Sequence, residues 1–240
     1  MYWKARIGVA FPSRGDVATY EFYRVAPEGV VLVSTSMNVE KLVDEYFERA
    51  LKNMDEAVRL LQTEQVDVIL IGGNPVMTMR GFEYNDEVIE RYQKATGLPV
   101  TTSFSSYVDA LQALGAQKIA LASPYGLDAL EREAKSLEFK GLKVVGVHTL
   151  GIVRNSDIAI LPPAEAYRCA KEAVLRSTEK PDAVFITCPR WPTLSIIADL
   201  EADLGIPAVS NSQAIAWNTL RLARVRPNVK GMGQLFDIYP

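Results

Sequence analysis

The chain has few of the residues that most often carry disulfides, metals or acid–base chemistry. Its 240 residues include two cysteines, Cys169 and Cys188, and a single histidine, His148. Two cysteines do not make a disulfide framework, so a reducing cytoplasm is the default compartment. No CxxC or HExxH motif occurs, and the sequence therefore predicts no metal site. With one histidine, a Cys-His or Ser-His-Asp arrangement would need His148 beside the nucleophile.

Strong charge and long apolar runs are also missing. A net charge of -3 and a pI near 5.4 give no basic footprint for nucleic acid. No apolar run reaches the roughly 18 residues that a membrane span needs, and the start, MYWKARIGVAF, lacks the features of a secretion signal. IGGNPV contains glycines but matches neither the dinucleotide nor the P-loop signature. These absences predict a cytoplasmic protein without a nucleotide cofactor, a nucleic-acid partner or a membrane partner.

One apolar strand pattern occurs twice in the chain. VDVILIGGNP (66–75) and PDAVFITCPR (181–190) align without a gap and place Gly73 opposite Cys188. Further matched pairs follow in the same order, and they join 6–13 with 118–125, 30–36 with 143–149, and 95–103 with 203–211. Ordered matches of this kind predict two copies of one α/β unit.

Short β-rich runs alternate with segments of helical period, which predicts parallel sheets flanked by helices. The clearest helix is 39–62, whose apolar residues recur at i, i+3, i+4 and i+7 after a predicted N-cap at Asn38. Other helices are predicted at 85–95, 105–114, 127–139, 163–176, 192–204 and 212–223. No linker rich in Gly, Ser or Pro separates the copies, so we expect closely packed lobes. The tail 224–240 is predicted to be irregular and to tie the lobes or subunits together.

Cys188 is the leading candidate for chemistry. It follows the last residue of a predicted buried strand and precedes a helix, in ITCPRWPT. The dipole and free N–H groups of that helix are expected to lower the thiol pKa and to attract an anion. Cys169 lies in mid-helix and His148 in a strand, and both are interpreted as structural residues.

Small polar residues cluster at the predicted strand ends. They either cap turns and helices or line a pocket that binds a carboxylate and stabilises an enolate. Ser103, Asn211 and Ser212 fit both interpretations. Arg190 and Arg80 are candidates for a charge-assisted carboxylate contact, with solvated loop arginines as the alternative. The full set of polar positions is Ser13, Asn74, Thr78, Thr101, Thr102, Ser103, Tyr125, Thr187, Asn211 and Ser212.

Longer motifs along almost the whole chain resemble a known family. They are PSRGDVATYEFYRVAPEGV, GGNPVMTMRGFEYNDEVIERYQKATGLPVTT, ALGAQKIALASPY, GIVRNSDIAILPPAEAY, TCPRWPT and GQLFD. Together they resemble the aspartate/glutamate racemase superfamily, and within it the maleate cis-trans isomerase and arylmalonate decarboxylase branch. The resemblance implies two pseudo-symmetric Rossmann-like α/β lobes, each a parallel sheet flanked by helices, with the active site in the cleft between them. It implies lobe 1 at 1–103 plus 209–240 and lobe 2 at 104–208.

The number of cysteines separates activities within this family. Its racemases and isomerases use two cysteines, one per lobe, whereas its decarboxylase uses one to protonate a carbanion. This chain has Gly73 at the first position and Cys188 at the second, which is the decarboxylase pattern. Tyr125 matches the family's tyrosine donor, and Asn155 stands where the isomerases have a substrate-binding asparagine.

Several positions depart from both groups. Asn74 and Pro75 replace a hydroxyl-bearing pair of the decarboxylase, and Pro189 replaces a glycine. Each proline removes a backbone N–H from a potential oxyanion site. Gly15 stands where the isomerases have an asparagine. The carboxylate pocket is therefore expected to be partly rebuilt.

The leading hypothesis is a cofactor-independent decarboxylase of a substituted malonate-type acid. One carboxylate would be held by Asn74, Tyr125 and nearby donors, the other would be lost beside Val76, and Cys188 would protonate the enediolate. The predicted substrate-binding residues are Ser13, Gly73, Asn74, Pro75, Val76, Tyr125, Asn155, Thr187, Pro189 and Arg190, with Cys188 as the catalytic residue.

Two other functions remain open at this stage. One is isomerisation or racemisation of a small carboxylic acid by Cys188, alone or with His148. The other is a non-catalytic carboxylate binder, in which the missing thiol at Gly73 marks lost chemistry. A depressed pKa of Cys188 would favour catalysis, whereas an ordinary or unreactive thiol would favour the binder. A small carboxylic acid is the expected partner in each case, and a homo-oligomer is compatible with the sequence.

Overall fold

The computed structural model describes residues 3–39, 44–78 and 80–239. In this part of the chain, eight parallel strands form two four-stranded sheets, with the orders β2-β1-β3-β4 and β6-β5-β7-β8. The strands are β1 (Ala5–Phe11), β2 (Val30–Ser36), β3 (Val68–Ile71), β4 (Val100–Thr102), β5 (Lys118–Tyr125), β6 (Lys143–Ile152), β7 (Ala183–Ile186) and β8 (Ala208–Ser210).

Both sheets are built in the same way, which confirms the predicted repeat. The four matched sequence pairs become β1/β5, β2/β6, β3/β7 and β4/β8. The aspartate before the third strand of each unit also has the same task. Asp67 accepts the N–H of Arg6 at 2.7 Å, and Asp182 accepts the N–H of Lys118 at 2.8 Å. Each aspartate thereby fixes the start of the neighbouring strand.

Helices cover the faces of both sheets. The longest described helix, α2, buries Ala50, Met54, Val58 and Leu61 on one side, as its i, i+4 spacing predicts. The helices are α1 (Asp16–Val25), α2 (Asp44–Thr63), α3 (Asn74–Thr78), α4 (Tyr84–Thr96), α5 (Ser103–Ala113), α6 (Leu127–Phe139), α7 (Asn155–Ala159), α8 (Pro163–Leu175), α9 (Ile197–Leu204), α10 (Asn211–Leu222) and α11 (Gln234–Asp237). A 3₁₀ turn, Leu194–Ile196, precedes α9.

Several helix predictions need correction. Val39 is buried outside any helix, and Asn38 has a positive φ of 63°, so the N-cap predicted there is wrong. Residues 40–43, also included in the predicted helix, lie outside the described residues. Helices α1, α3 and α7 were not predicted. The helix expected from residue 192 begins with the 3₁₀ turn, and α11 makes part of the tail regular.

One hydrophobic core passes through both sheets. It joins residues of the first sheet, such as Leu70, to residues of the second, such as Phe185. Helices α5 and α10 lie at the centre of this core and pack against each other. Helix α10 contacts β3 and α1 of the first unit as well as β8 of the second, and α5 contacts β4 and β8. The lobe boundaries at 103/104 and 208/209 stay a prediction, because these central helices bind both sheets.

The strand order predicts where a ligand would bind. In each sheet the second strand of the unit lies on one side of the first strand, and the third and fourth strands lie on the other side. The topological switch point is therefore between β1 and β3 in one sheet and between β5 and β7 in the other. Ligands of open α/β sheets bind outside the carboxyl ends of strands at such points. Among the described helices, none combines the length and apolar character needed to cross a membrane.

Candidate active site

A cavity lies where the carboxyl ends of the two sheets meet. It encloses about 610 Å³, its open mouth included. The switch points of both sheets open into it, since its walls contain the ends of β1, β3, β5 and β7 and the first residues of α5 and α10. Its lining consists of Phe11, Pro12, Arg14, Ala18, Val39, Gly73, Asn74, Pro75, Val76, Ser103, Tyr125, Asn155, Thr187, Cys188, Pro189, Arg190 and Asn211.

The structure brings together all but one of the predicted site residues. Ser13 is the exception, because it lines a neighbouring groove and not the cavity. Its hydroxyl accepts a hydrogen bond from Asn155 Nδ2 at 3.3 Å, which links the two units at the cavity edge. Phe11, Pro12 and Val39 also line the cavity and were missed, since apolar side chains carry no chemical signal in a sequence.

Cys188 and Gly73 occupy matching positions with matching backbone. Gly73 has φ of +96° and Cys188 has φ of +78°. A positive φ is ordinary for glycine but strained for a residue with a Cβ, and such strain concentrates at functional sites. The tight turn after β7 thus points a thiol into the cavity, while the same turn after β3 leaves the facing wall without one.

Burial determines the protonation state of Cys188. The side chain is 2% exposed, and desolvation raises its pKa to about 11, against smaller opposing effects of the Tyr125 hydroxyl and the backbone N–H of Arg190. The expected lowering of this pKa by a helix N-terminus is wrong, because loss of water outweighs the nearby donors. At neutral pH the group is a thiol that can donate a proton.

Tyr125 stands beside this thiol at the end of β5. It is 7% exposed, and burial, followed by the charges of Cys188 and Glu133, raises its pKa well above the ordinary value. The phenol therefore keeps its proton and remains a hydrogen-bond donor within the cavity.

A buried carboxyl group that was not among the predicted site residues lies under the cavity floor. Glu133, on α6, accepts hydrogen bonds at 2.9 Å from the hydroxyls of Thr187 and Tyr107. Burial raises its pKa to about 7, against the lowering effect of donors on Thr187, Tyr107 and Asn74. The only available signal was its place in the apolar stripe of α6, between Leu130 and Leu137.

Three polar side chains in the cavity wall have a buried oxygen without a hydrogen-bond partner within the described part of the chain. They are Asn74, at its Oδ1 and 5% exposed, and Ser103, at its Oγ, and Asn211, at its Oδ1, each 2% exposed. The N-cap roles weighed for Ser103 and Asn211 belong instead to Thr102 and Ser210, whose side chains accept N–H groups in the first turns of α5 and α10. Ser103 and Asn211 are therefore free to contact a ligand at two helix N-termini.

The arginine predictions have different outcomes. Arg190 lines the cavity, but its guanidinium is held by Asp16 through bonds of 3.2 and 3.0 Å. This pair joins α1 of the first unit to the loop after β7. Arg80 is exposed, lies 3.7 Å from Glu48, and does not line the cavity. Arg14 does line it, although it was not predicted.

His148 and Cys169 lie outside the cavity lining. The thiol of Cys169 donates to the backbone oxygens of Ser123 and His148, at 3.8 and 3.6 Å, and burial raises its pKa to about 12. Cys169 packs in the core of the second unit as expected, His148 is half-buried on β6, and a Cys188–His148 pair does not form. Within residues 3–39, 44–78 and 80–239, no group of three or more His, Cys, Asp or Glu side chains is arranged to hold a metal ion.

Comparison with known proteins gives consistent matches over nearly the whole chain. A family model described as arylmalonate decarboxylase matches residues 7–236. The arylmalonate decarboxylase of Bordetella bronchiseptica is 28% identical over 235 residues and covers 96% of each chain. The maleate isomerase of Nocardia farcinica is 27% identical over 218 residues, which are 89% of this chain and 79% of that protein. A crystal structure of a liganded arylmalonate decarboxylase double mutant has a TM-score of 0.91 at 26% identity, over 97% of this chain and 99% of the other.

Proposed function

The chain belongs to the arylmalonate decarboxylase family, and on that premise we propose that it is a cofactor-independent decarboxylase of a substituted malonate-type acid. The observation that carries the proposal is one protonated thiol, Cys188, facing the side-chain-free Gly73 across the cavity. One proton donor on one face is what protonation of a carbanion needs. A reaction that removes a proton from one face of a carbon and returns a proton to the other face needs two such groups, one on each side.

The polar end of the cavity holds the carboxylate that the product retains. Tyr125 donates its phenol, while Ser103 and Asn211 place unpartnered polar groups at the N-termini of α5 and α10. Helix N-termini and their N–H groups stabilise an anion. Pro75 and Pro189 have no N–H, so side chains replace backbone donors in this pocket.

The second carboxylate lies against the apolar wall, which includes Phe11, Pro12, Val39 and Val76. A carboxylate there loses its water shell without gaining a partner. The bond between the α-carbon and this carboxylate breaks, carbon dioxide leaves, and the electron pair stays behind as an enediolate. The donors around the retained carboxylate stabilise that charge as it develops.

Cys188 completes the reaction. The proton of its thiol goes to the α-carbon and the sulfur becomes a thiolate, which regains a proton from water. The raised pKa suits this role, because the donor must carry its proton at neutral pH. It does not suit a cysteine that attacks an alkene or removes a proton. The depressed pKa that was expected to mark catalysis is not found at Cys188. The raised pKa is that of a proton donor and not that of an activated thiolate.

Proton NMR in heavy water tests the reaction directly. The wild type is incubated with a panel of substituted malonates, maleate and α-amino acids. Loss of a malonate with one deuteron gained at the α-carbon is the expected result, and the product should be of one hand. In Cys188→Ala this turnover should fall by about 10²–10⁴-fold, the usual contribution of a general acid.

Cys169→Ala is the matched control, since it removes the other buried thiol and leaves the cavity lining unchanged. Its turnover should equal that of the wild type. Conversion of maleate to fumarate, or α-deuteration without loss of carbon dioxide, would replace the proposal by an isomerase or a racemase. Full turnover in Cys188→Ala would refute the role of the thiol. Binding without turnover across the panel would favour a carboxylate-binding protein.

A further inference from the structure

A polar groove adjoins the cavity on the side of the first sheet. It encloses about 780 Å³, its open mouth included, beside the carboxyl ends of β1 and β2 and the start of α1. Phe11, Arg14 and Val39 line both the groove and the cavity, so the two spaces share one wall. The polar side chains of the groove are Ser13, Arg14, Ser34, Thr35, Ser36 and Asn38.

Hydrogen bonds between its two sides form the groove before any ligand binds. The hydroxyl of Ser36 donates to the backbone oxygen of Ser13 at 3.0 Å and accepts the N–H of Asn38 at 3.1 Å. The N–H of Val39 donates to the backbone oxygen of Pro12 at 2.6 Å. These bonds tie the segment after β2 to the segment after β1, so the groove is part of the fold.

The proposed reaction needs space beyond the cavity. A substituted malonate carries two carboxylates and a substituent on one carbon. The cavity offers a polar end to the retained carboxylate, an apolar wall to the departing one, and the thiol of Cys188 to the carbon that receives the proton. The substituent must therefore extend toward a neighbouring space.

The apolar hollow on the other side of Phe11 is closed to the substituent. It encloses about 240 Å³, its mouth included, and Phe11 and Ala18 separate it from the cavity, since both line the two spaces. The ring of Phe11 lies directly against the backbone of Gly15, where a Cβ would be 2.2 Å from the ring. Phe11 is 7% exposed. With this ring in place, the groove is the open route from the cavity.

The two arginines of the cavity differ in their partners. Arg190 is held by Asp16 through the bidentate pair described above. Arg14 is exposed and forms no ion pair with another described residue. Its positive charge lies on the wall that the cavity and the groove share.

The lining of the groove suits a substituent that forms hydrogen bonds and carries negative charge. A guanidinium binds a carboxylate through two parallel N–H bonds. Ser34 and Thr35 add hydroxyls that donate or accept, and no acidic side chain lines the groove within the described residues. An aryl or alkyl group in this place would cover polar groups without bonding them, which costs free energy.

We propose that the groove is the subsite for the α-substituent of the substrate, and that Arg14 makes the protein selective for a substituent that ends in a carboxylate. The inference rests on the proposed function in taking a substituted malonate as the substrate. A malonate with a 2-carboxyethyl substituent is the simplest member of this class with a flexible arm. It would lose one malonate carboxylate as carbon dioxide, gain one proton at the α-carbon and become glutarate.

Calorimetry with three five-carbon acids tests the subsite. Glutarate ends in a second carboxylate, glutaramate in an uncharged amide of the same shape, and pentanoate in a methyl group. None of them has a malonate carboxylate to lose, so binding is measured without turnover. The wild type should bind glutarate about tenfold more tightly than glutaramate, because a carboxylate forms charge-assisted bonds with Arg14. Glutaramate should bind more tightly than pentanoate, because its amide bonds to the hydroxyls of the groove.

Arg14→Gln removes the charge and keeps a polar side chain of moderate length. The preference for glutarate over glutaramate should fall from about tenfold to about onefold in this variant. Arg80→Gln is the matched control, since it removes the same charge from an exposed arginine that lines neither the cavity nor the groove. It should keep the preference of the wild type. An undiminished preference in Arg14→Gln would overturn the role of Arg14.

Ser34→Leu separates binding in the groove from general attraction of anions. The substitution leaves the charge of Arg14 in place and puts an apolar side chain into the groove. Ser34 is exposed on β2, so the change does not disturb the core. The preference for glutarate should be lost, and pentanoate should bind more tightly than it does to the wild type. An unchanged preference would show that Arg14 attracts anions without the groove and would overturn the subsite.

The inference and the proposed function fail in different ways. If no substituted malonate reacts, the proposed function is refuted, while the binding ratios still decide whether the groove is a carboxylate subsite. If substituted malonates react but glutarate and glutaramate bind the wild type equally, the decarboxylase stands and the subsite is overturned. Tighter binding of phenylacetate than of glutarate, or no binding of any of these acids, would also overturn the subsite.

Discussion

The backbone at Cys188 is strained because a side chain occupies a conformation that suits glycine. The matching residue of the first unit, with φ of +96°, is a glycine, whereas Cys188 holds φ of +78°. A left-handed conformation costs a residue with a Cβ roughly 1–2 kcal/mol. This strained turn places the sulfur beside Tyr125 and across the cavity from Gly73. The proposed protonation needs this arrangement.

Two substitutions at this position separate the strain from the chemistry. Cys188→Ala and Cys188→Gly both remove the thiol and should both lose turnover. Cys188→Gly should nevertheless be more stable than Cys188→Ala by about 1 kcal/mol, because only glycine adopts this φ without strain. Urea unfolding of the two variants measures the difference. Equal stabilities, or a less stable glycine variant, would show that the turn is not strained.

Residue identities at strand ends were readable from the sequence, but their environments were not. Cys188, Tyr125 and Asn74 were predicted to lie in the site because each follows a recognisable buried strand. The sign of the Cys188 pKa shift was predicted wrongly, since a sequence shows the helix that follows but not the depth of burial. Glu133 was missed because its partners, Thr187 and Tyr107, come from two other elements and meet it only in the folded chain.

At the scale of elements, α1 fixes the segment that follows Cys188. Glu21 of α1 accepts the backbone N–H groups of Thr193 and Leu194 at 2.6 and 2.7 Å. These are the free N–H groups at the start of the 3₁₀ turn, which a carboxylate satisfies in the manner of an N-cap. A helix of the first unit thereby supports the turn of the second unit that carries the proton donor.

A pair of substitutions tests this link. Glu21→Gln keeps an oxygen for both N–H groups and should change stability little. Glu21→Leu leaves two buried donors unpaired and should destabilise the fold by about 2–6 kcal/mol, at roughly 1–3 kcal/mol for each unsatisfied group. Chemical denaturation measures both, and turnover should decline with the leucine variant because the Cys188 turn loses its support. Equal losses in the two variants would indicate that packing, and not the hydrogen bonds, gives Glu21 its role.

The repeat made the strands and their correspondence between the two units predictable, whereas details of the first unit were not. Four matched sequence blocks became four matched strands because buried parallel strands are continuous apolar runs that end at turn residues. Helix α1 was overlooked because its buried face, which includes Phe22 and Val25, is interrupted by the charged Glu21. The apolar period of α2 was extended too far toward Val39, whose side chain belongs to the cavity wall.

At the scale of the whole molecule, the cavity depends on contacts that hold the two units in register. Asp16 and Arg190 form a bidentate pair across the cleft, and Asn155 donates to Ser13 beside it. The Arg190 side chain is 13% exposed and that of Asp16 is 53% exposed, so water screens the pair on one side. The shared core around α5 and α10 therefore contributes most of the free energy that holds the two units together. The polar pairs fix the orientation of one unit relative to the other.

Because Glu133 is buried under the cavity, its ionisation should change the free energy of unfolding of the whole protein with pH. The pKa of Glu133 is raised from 4.5 to about 7 in the fold. A raised carboxyl pKa means that the folded state favours the protonated form, so its contribution is complete below pH 4.5 and is lost as pH rises through 7. At about 1.4 kcal/mol for each pKa unit, ionising Glu133 in place costs the wild type about 3 kcal/mol at pH 8.

Glu133→Gln cannot ionise and should escape this loss. Relative to the wild type, the variant should gain about 3 kcal/mol in unfolding free energy between pH 4.5 and pH 8. Urea denaturation of both proteins across that range measures the gain. Glu21, whose pKa is also raised by burial, is present in both proteins and cancels in the comparison. A stability difference that stays constant from pH 4.5 to 8 would mean that burial does not raise the pKa of Glu133.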